Sequence, residues 1–356
     1  MSSNILFHRP PTMKPFPVPA AAGNLELLDK YLNISDSDKV LAKAWLAFTL
    51  SSPKIDTASY VHLVLGGDQG TGKTHLCNII RKLVDPNIVG AMAFPQNKLD
   101  IVIAAQHAHL LCYDNLRYLS PDNADILCIA STGGAMSSRQ LYSNDGQHVH
   151  HIHVPIIFNG IHPFINTPDL SQRCLPITLK PLTENDRKSE SEMAREFESV
   201  YPAIFRGLLE LIADIFTHLP TVEITDPTRM LDFSRCLAAY EKVAGVPVGV
   251  YQGLYSSVIK ESQLDTLLSD PVAETLFEYF HQNKTSNIEG TPSEVLKELS
   301  TFVNKQALYS RSWPKSASAF SKRLISLKAG LRTQGVAVIL ERGKHRSITI
   351  TKLGVN

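Results

Sequence analysis

The feature that most constrains this chain is a glycine-rich segment in which Gly67, Gly72, Lys73 and Thr74 form the pattern G-x-x-x-x-G-K-[ST]. Glycines let successive backbone N–H groups point inward at phosphate oxygens, and the helix that follows directs its positive dipole end at the same anion. The lysine supplies a charge for the β- and γ-phosphates, and the threonine supplies a hydroxyl for Mg²⁺. The segment therefore predicts a site for ATP and Mg²⁺, and its expected contacts are Gly67, Asp68, Gln69, Gly70, Thr71, Gly72, Lys73, Thr74 and His75.

The residues on either side of the loop support this interpretation. Residues 60–65 are a short, apolar, β-branched run, which predicts a buried strand, and residues 75–84 repeat apolar side chains at helical spacing. Asp85 and Pro86 end the helix. Because strand, loop and helix agree, we favour a phosphate-binding loop over a glycine-rich turn with a chance lysine.

A second segment predicts the metal ligand. The apolar run 109–113 ends in Asp114, about 40 residues after Thr74. A carboxylate at the end of such a strand orients the water shell of Mg²⁺ beside the loop threonine. The alternative is an ordinary strand that ends in a turn aspartate, and we favour the metal role for Thr74 and Asp114 because the phosphate loop precedes them. Residues 100–106 are predicted as a further strand.

Composition limits the class of protein. The chain has 356 residues, of which 44% are hydrophobic and 19% charged, as expected for two or three globular domains. No apolar run approaches the ~18–20 residues that a membrane span needs. The five cysteines are scattered without a C-x-x-C pair, which favours buried thiols in a reducing cytoplasm.

Charge is distributed unevenly along the chain. Residues 305–356 contain eleven Lys or Arg and one acid, which is a charge of +10, whereas the whole chain carries +1. The preceding 304 residues therefore carry −9. This asymmetry predicts that the C-terminal part meets an anionic partner.

Three further regions organise the chain. Residues 1–23 are rich in proline and predict an extended, weakly ordered arm, with a neighbouring subunit as one place where it could lie. Residues 140–153 predict a β-hairpin with Asp145 and Gly146 at its turn. Its four histidines alternate between two faces, and no cysteine completes a zinc site, so a polar hairpin face is favoured over a metal site.

The C-terminal region, 270–356, predicts three helices followed by a hairpin with a basic tip, which is the pattern of a winged helix. A basic helix and a basic wing suit the phosphate backbone of nucleic acid, although such modules also dock proteins. The expected DNA contacts are Lys322, Arg323, Arg342, Lys344 and Arg346.

With these motifs in this order, the chain resembles the primase-helicase ATPases of phages, plasmids and integrative elements, which are related to superfamily 3 helicases and to the MCM side of the AAA+ class. The resemblance covers about residues 24–351. Besides the loop and Asp114, it rests on the following residues: Leu83 to Pro86, Tyr113 to Asn115, Thr132 to Gly134, Arg139, Leu141, Tyr142, Asn159, Asp169, Leu170, Arg173, Arg229 to Phe233, Gly290 to Pro292, Trp313 and Pro314.

This resemblance implies an α/β fold in which an AAA+ parallel-sheet ATPase domain, with its N-terminal helices, occupies residues 24–265 and a small α+β winged-helix domain occupies residues 270–356. It implies a ring, usually a hexamer, with ATP sites between subunits. It also implies that the β-hairpin before the sensor 1 strand projects into the pore and grips a single DNA strand. The hairpin residues expected to contact DNA are Asn144, Gln147, His148 and His150.

The resemblance also implies roles at the ATP site. Asn159 matches sensor 1, which holds the attacking water, and Arg173 matches the arginine finger that reaches the neighbouring subunit's nucleotide. Arg229 matches a sensor 2 arginine on the nucleotide. Asn115 departs from the pattern, because such ATPases usually have a glutamate there that polarises the water. The expected catalytic residues are Lys73, Asp114, Asn115, Asn159 and Arg173.

The sequence thus predicts an ATP-dependent DNA helicase or translocase of a mobile element, working with a separate primase or other replication protein. One alternative is a weakly active ATP-binding loader or adaptor whose winged helix docks a partner, which Asn115 would favour. Another is an ATPase switch in defence or transcription control that binds a defined operator. Normal unwinding by the purified protein alone would exclude the loader.

Overall fold

The computed structural model describes residues 9–52, 58–139, 147–160, 164–165, 167–183, 189–283, 285–303, 305–310, 312–342 and 346–353. The chain divides into two compact units, Met1–Ile259 and Lys260–Asn356. Within the described ranges, no helix combines the length and the apolar character that a membrane crossing requires.

The first unit consists of helices and strands that alternate along the chain, after a short 3-10 helix at Leu25–Tyr31. In order they are α1 (Asp36–Ser51), β1 (His62–Gly66), α2 (Lys73–Val84), β2 (Met92–Ala93), α3 (Lys98–His107), β3 (Leu111–Leu116), α4 (Pro121–Thr132), β4 (Gly134–Arg139), β5 (Gln147–Ile152), β6 (Ile156–Gly160), α5 (Pro168–Ser171), β7 (Cys174–Thr178), α6 (Glu190–His218), α7 (Leu231–Ala244) and α8 (Val250–Leu268), which continues into the second unit.

A five-stranded parallel sheet forms the centre of this unit, in the order β2-β3-β6-β1-β7. The strands are apolar and buried on both faces, as a parallel sheet between helices requires. Since neighbouring strands run in the same direction, the chain leaves β1, β3 and β6 at one edge, the carboxyl edge. The predicted α/β fold with a parallel sheet is confirmed, and all five cysteines are buried and free.

One predicted strand was wrong. Residues 100–106 belong to helix α3, which begins after Asn97, whose side chain accepts a hydrogen bond from the backbone N–H of Leu99. Ile101, Val102 and Ala105 are buried at helical spacing on one face. A short apolar run has no clear period, and here the capping residue, rather than β-branching, decides the structure.

The predicted hairpin is present, but its first strand begins earlier than expected. β4 starts at Gly134 and pairs antiparallel with β5 from Gly134 opposite Ile152 to Arg139 opposite Gln147. The described part of the first strand is therefore Gly134–Arg139. Residues 140–146, with the predicted turn and Asn144, lie outside the described residues.

The proline-rich arm, as far as it is described (residues 9–23), lies on its own chain. Met13 forms a β-bridge with Asn87, and the backbone N–H of Lys14 donates to the carbonyl of Pro86 (2.8 Å). These contacts attach the arm to the turn that follows α2. The described part of the arm therefore contacts its own chain, and the expected weak order of residues 1–23 stays a prediction.

The arm then crosses helix α6. Phe16 stacks on Phe205 with ring centroids 5.0 Å apart. Pro202 lies inside α6, and its carbonyl accepts from the backbone N–H of Ala20 (3.1 Å). Where the arm leaves the helix, a Cβ built on Gly207 would lie 2.6 Å from the backbone nitrogen of Leu25, so the two backbones are in contact.

The second unit contains helices α9 (Pro271–Asn283), α10 (Pro292–Leu299), α11 (Lys305–Tyr309) and α12 (Ala317–Thr333), and strands β8 (Asn287–Gly290), β9 (Val336–Arg342) and β10 (Arg346–Lys352). The strands form an antiparallel sheet in the order β8-β10-β9. Thr291 caps α10 in a capping box and Ser316 caps α12, as their sequence positions predict. β8 and α11 were not predicted.

Candidate functional site

The glycine-rich loop leaves β1 at the carboxyl edge and enters α2. Gly67, Gly70 and Gly72 have φ angles of 131°, 82° and 89°, a region that side chains disfavour. At Gly67 an added Cβ would also lie 3.0 Å from the carbonyl oxygen of Leu179. Gly72 caps α2, so the free N–H groups of the first helical turn face the end of the loop. The loop therefore has the backbone of an anion-binding site.

Two polar side chains project from the first turn of α2. The ammonium group of Lys73 donates to the carbonyl oxygens of Gly67 (2.9 Å) and Asp68 (2.6 Å). Burial lowers the pKa of Lys73, whereas the carboxylates of Asp114 and Asp68 act to raise it. Thr74 Oγ1 donates to Asp114 Oδ2 (2.9 Å), which joins α2 to the end of β3. The sequence placed this hydroxyl and this carboxylate together, and the structure does so too.

These side chains open into a cavity of about 1080 Å³. Its lining includes the loop, Asp114, Asn115 and Asn159. The rest of the lining comes from the 3-10 helix region, the residues after β7 and the start of α6, which the sequence motifs did not indicate. They are Lys30, Tyr31, Leu32, Asn33, Leu179, Leu182, Glu190, Met193 and Glu196.

Asn33 is a residue of this set with a clear structural role. Its side-chain amide donates to the carbonyl oxygens of Lys180 (2.6 Å) and Thr71 (3.5 Å). It thereby holds the segment before α1 against the glycine-rich loop and fixes the mouth of the cavity. In the sequence Asn33 was visible only as a break between helices, since its partners are distant along the chain.

His75 follows Thr74 and also lines the cavity. Burial lowers the pKa of its imidazole, and within the described residues its buried Nε2 has no hydrogen-bond partner. A neutral imidazole can donate or accept one hydrogen bond at each ring nitrogen, depending on its tautomer. His75 is therefore available to a ligand in the cavity.

Asn115 has an unusual backbone at the end of β3. Its φ angle is 57°, which makes it the non-glycine residue with positive φ in the described part of the chain. β3 shifts its register against β6 between Tyr113 and Leu116 at this point. The backbone N–H of Asn115 donates to Asn159 Oδ1 (2.8 Å). For a residue with a side chain, this backbone conformation costs about 1–2 kcal/mol of free energy, and the cost is smallest for asparagine and aspartate.

Arg173 and Arg229 lie together with Asp169, away from the cavity lining. Arg229 Nη1 is 2.5 Å and Arg173 Nε is 3.6 Å from the Asp169 carboxylate. Burial acts to raise the pKa of Asp169, but a hydrogen bond from Cys128 and the two guanidinium groups outweigh it and lower the pKa. The side chain of Arg173 is 9% exposed and that of Arg229 is 42% exposed.

This placement differs from what the resemblance implied for Arg229, whereas the expected action of Arg173 on a neighbouring subunit's nucleotide stays a prediction. Arg173 precedes β7, and its carbonyl accepts from the N–H of His62, the first residue of β1. It therefore lies at the amino edge of the sheet. The length of β1, at about 3.3 Å per residue, separates it from the glycine-rich loop at the carboxyl edge. Arg173 is buried within this chain. Arg229, expected at the nucleotide, contacts Asp169 and Gln172 instead.

The expected DNA contacts in the second unit differ in their surroundings. Lys322 is exposed on α12. Arg323 is bound to Asp270, a 3% exposed side chain that also accepts from the first N–H groups of α9. Arg342 and Arg346 are opposite each other in β9 and β10, but their side chains, and all of Lys344, lie outside the described residues.

In the first unit, Gln147 and His148 lie in β5, and their side chains are outside the described set, whereas His150 is partly exposed. The described part of the chain contains no group of three or more His, Cys, Asp or Glu side chains that could bind a metal. A Mg²⁺ site formed by Thr74 and Asp114 would contain only one such side chain. This is compatible with Mg²⁺, which is commonly held by one or two carboxylates together with substrate phosphates.

Comparison with known families decides the kind of protein. The family described as actinomycete integrative conjugative element replication protein matches residues 25–258. The chain belongs to this family. The C-terminal domain of the same replication proteins, described as the AICE RepA C-terminal domain, matches residues 272–355. No curated protein matches this replication protein.

Solved structures are similar to the replication protein only at a distance. The apo structure of the NrS-1 C-terminal region is 14% identical, covers 98% of this chain and 80% of its own, and has a TM-score of 0.42. A second NrS-1 structure, of residues 305–718, is 15% identical with a TM-score of 0.41, covering 98% of this chain and 79% of its own. The JCV helicase is 13% identical over 64% of this chain and 66% of its own, with a TM-score of 0.27.

Proposed function

We propose that this replication protein is an ATP hydrolase that unwinds or translocates along DNA during replication of its element. The observation that carries the proposal is the arrangement of Lys73, Thr74 and Asp114 at the mouth of the cavity. An ammonium group, a hydroxyl and a carboxylate converge there beside a loop of free backbone N–H groups. This combination suits a triphosphate and its metal ion, because the charge and the oxygen ligands that each requires are present.

The residues of the cavity fit ATP and Mg²⁺ as follows. The loop N–H groups and Lys73 would hold the phosphates, and the Thr74 and Asp114 oxygens would hold Mg²⁺, which neutralises charge on the phosphates when it is bound. The apolar side chains of the lining, Leu32, Leu182 and Met193, would receive the base. Asn159, whose amide faces the cavity, would orient the attacking water.

The finer assignment follows the resemblance of the ordered motifs. We assign the first unit to the AAA+ ATPases, with β4 and β5 as the hairpin before sensor 1, and the second unit to the winged helices. In a ring, usually a hexamer, the hairpins would contact single-stranded DNA in the pore, and the basic second unit would contact duplex DNA. The net charge of +10 on residues 305–356 supports an anionic partner.

Replacement of Lys73 tests the proposal. We expect Lys73→Ala to abolish ATP hydrolysis and unwinding while leaving DNA binding by the second unit intact, because the lysine belongs to the proposed phosphate site of the first unit. ATP turnover, strand separation and fluorescence anisotropy with labelled DNA would measure the three properties. Lys98→Ala is the matched control, since this lysine is exposed and outside the cavity. Unwinding by Lys73→Ala at the wild-type rate would contradict the proposal.

A loader or adaptor is the second candidate, and Asn115 favours it. An amide can position water but cannot accept its proton, so the protein could bind ATP and hydrolyse it slowly. The measurement that separates the two functions is ATP turnover with and without single-stranded DNA, together with the mass of the ATP-bound protein in solution. Stimulated turnover by a ring-sized assembly supports the helicase, and a monomer without turnover supports the loader.

A further inference from the structure

Two asparagines are coupled at the carboxyl edge of the sheet, where the proposed ATPase would act on water. Three residue steps along β3, from Tyr113 to Leu116, match two steps along β6, from Phe158 to Gly160. One extra residue therefore bulges out of β3, and Asn115 takes up the turn with its positive φ angle. The bulge directs the N–H of Asn115 toward the Asn159 side chain.

The hydrogen bond between them determines which atom of Asn159 faces the cavity. A backbone N–H can only donate, so the Asn159 atom 2.8 Å from Asn115 N must be the carbonyl oxygen. The other end of the amide, Nδ2, is then the group left over. It is buried in a side chain that is 1% exposed, lines the cavity, and has no hydrogen-bond partner among the described residues. A buried donor of this kind needs an acceptor, which an oxygen atom in the cavity would provide.

The backbone at residue 115 also limits what can stand there. Glycine, asparagine and aspartate tolerate this left-handed conformation, because glycine has no Cβ and the two short polar side chains bond locally. A glutamate, which related ATPases place after the metal-binding aspartate, would be strained in this conformation. The absence of glutamate at residue 115 thus agrees with the positive φ angle that accompanies the bulge.

We propose that Asn115 and Asn159 are a linked pair of positioning residues, in which the bulge at Asn115 aims the Asn159 amide at the attacking water and restricts any carboxylate base at residue 115 to aspartate. The proposal rests on the function proposed above. In hydrolysis, a bond forms between the water oxygen and the γ-phosphorus, the bond to the bridging oxygen breaks with its electron pair leaving on ADP, and the water's proton passes to a phosphate oxygen. Two amides orient this water without accepting the proton, whereas a carboxylate at residue 115 would accept it.

The test compares Asn115→Asp with Asn115→Gly, because both residues tolerate the backbone and only one adds a carboxylate. We expect Asn115→Asp to raise kcat for ATP by about tenfold or more with little change in KM, and Asn115→Gly to give no gain. A change in kcat without a change in KM is a response that a merely structural role would not produce. Asn115→Glu should lower Tm and should raise kcat by less than Asn115→Asp does.

Asn159→Ala completes the series. Removal of its amide should lower kcat by about tenfold or more with KM largely retained, and thermal unfolding would show that the fold remains. The proposal is overturned if Asn115→Asp is no faster than Asn115→Gly, or if Asn115→Glu is as stable as the wild type and the fastest of the set. Equilibrium binding of ATP to the wild type distinguishes failure of the asparagine-pair proposal from failure of the proposed function. A wild-type protein that binds no ATP would overturn the proposed function itself.

Discussion

His62, the first residue of β1, is fully buried at the amino edge of the sheet, and both of its ring nitrogens are hydrogen-bonded. Nδ1 accepts from the N–H of Ile156 (3.2 Å), so Nε2 carries the proton and donates to the carbonyl of Leu127 (2.9 Å). Burial lowers the pKa of His62 to about 4, opposed by the bond to Leu127 and assisted by the neighbouring charge of Arg173. The imidazole is thus held neutral in the folded state.

This histidine should make the first unit sensitive to mild acid. The unfolded chain binds a proton at residue 62 below about pH 6.5, whereas the folded chain does so only below about pH 4. Protons therefore favour unfolding across that range, and the contribution of His62 to the free energy of unfolding, up to about 3 kcal/mol, is present above pH 6.5 and lost as the pH falls to 4. Urea unfolding at several pH values would measure it.

His62→Gln is the informative variant, because its amide can accept from Ile156 and donate to Leu127 without titrating. It should be less stable at neutral pH and should show a shallower loss of stability between pH 6.5 and 4. His151→Gln, a change at an exposed histidine, serves as the control. An unchanged slope in His62→Gln would show that other groups account for the acid sensitivity.

At the scale of elements, local patterns predicted well wherever one short segment contained the whole signal. The loop, the caps at Thr291 and Ser316 and the β9–β10 hairpin depend on neighbours in sequence, and the structure contains all of them. Three features depend on distant partners and were missed or misread. Helix α3 was taken for a strand, the bulge at Asn115 exists only against β6, and the burial of Arg173 depends on how α5 packs.

Two adjacent residues of α12 should behave differently when they are replaced. Arg323 neutralises the buried carboxylate of Asp270, so Arg323→Ala should lower the stability of the second unit by about 1–2 kcal/mol, discounted for the partial exposure of the arginine. Lys322→Ala should leave stability unchanged and weaken DNA binding. The slope of the logarithm of the binding constant against the logarithm of the salt concentration should become shallower by about 1. Thermal unfolding and anisotropy titrations at several salt concentrations measure the two effects.

Two outcomes would contradict the different roles of Lys322 and Arg323. If Lys322→Ala lowered the melting temperature as much as Arg323→Ala, exposure on α12 would not distinguish the two side chains. If Lys322→Ala left DNA affinity unchanged at every salt concentration, the exposed part of α12 near residue 322 would not be the DNA-binding surface of this unit.

At the scale of the whole molecule, the loop and the Arg173–Asp169–Arg229 cluster lie at opposite edges of one sheet. In a ring of identical subunits, such edges can meet between neighbours, so the cluster of one subunit could serve the cavity of the next. Arg229 is the more exposed of the two arginines, and the Asp169 carboxylate holds it in place. We therefore expect Arg229→Ala to reduce ATP turnover in the assembled protein and Arg173→Ala to reduce stability first.

Mixing two inactive proteins tests this arrangement. Lys73→Ala lacks the loop charge and Arg229→Ala lacks the exposed guanidinium, yet a mixed interface contains one intact copy of each. ATP turnover by the mixture should exceed the sum of the two variants assayed alone. A mixture without such a gain, at a concentration where the variants are shown to co-assemble, would mean that Arg229 does not act across subunits.

The contact between the arm and α6 also limits how the sequence can vary. A Cβ on Gly23 would lie 2.7 Å from Gly207 Cα, and one on Gly207 would lie equally close to the arm, so neither glycine can gain a side chain while the arm stays in place. A substitution at either position would lift the arm and expose the ring of Phe205, which Phe16 now covers. Natural relatives should therefore keep both glycines together, or lose the arm together with the aromatic ring beneath it.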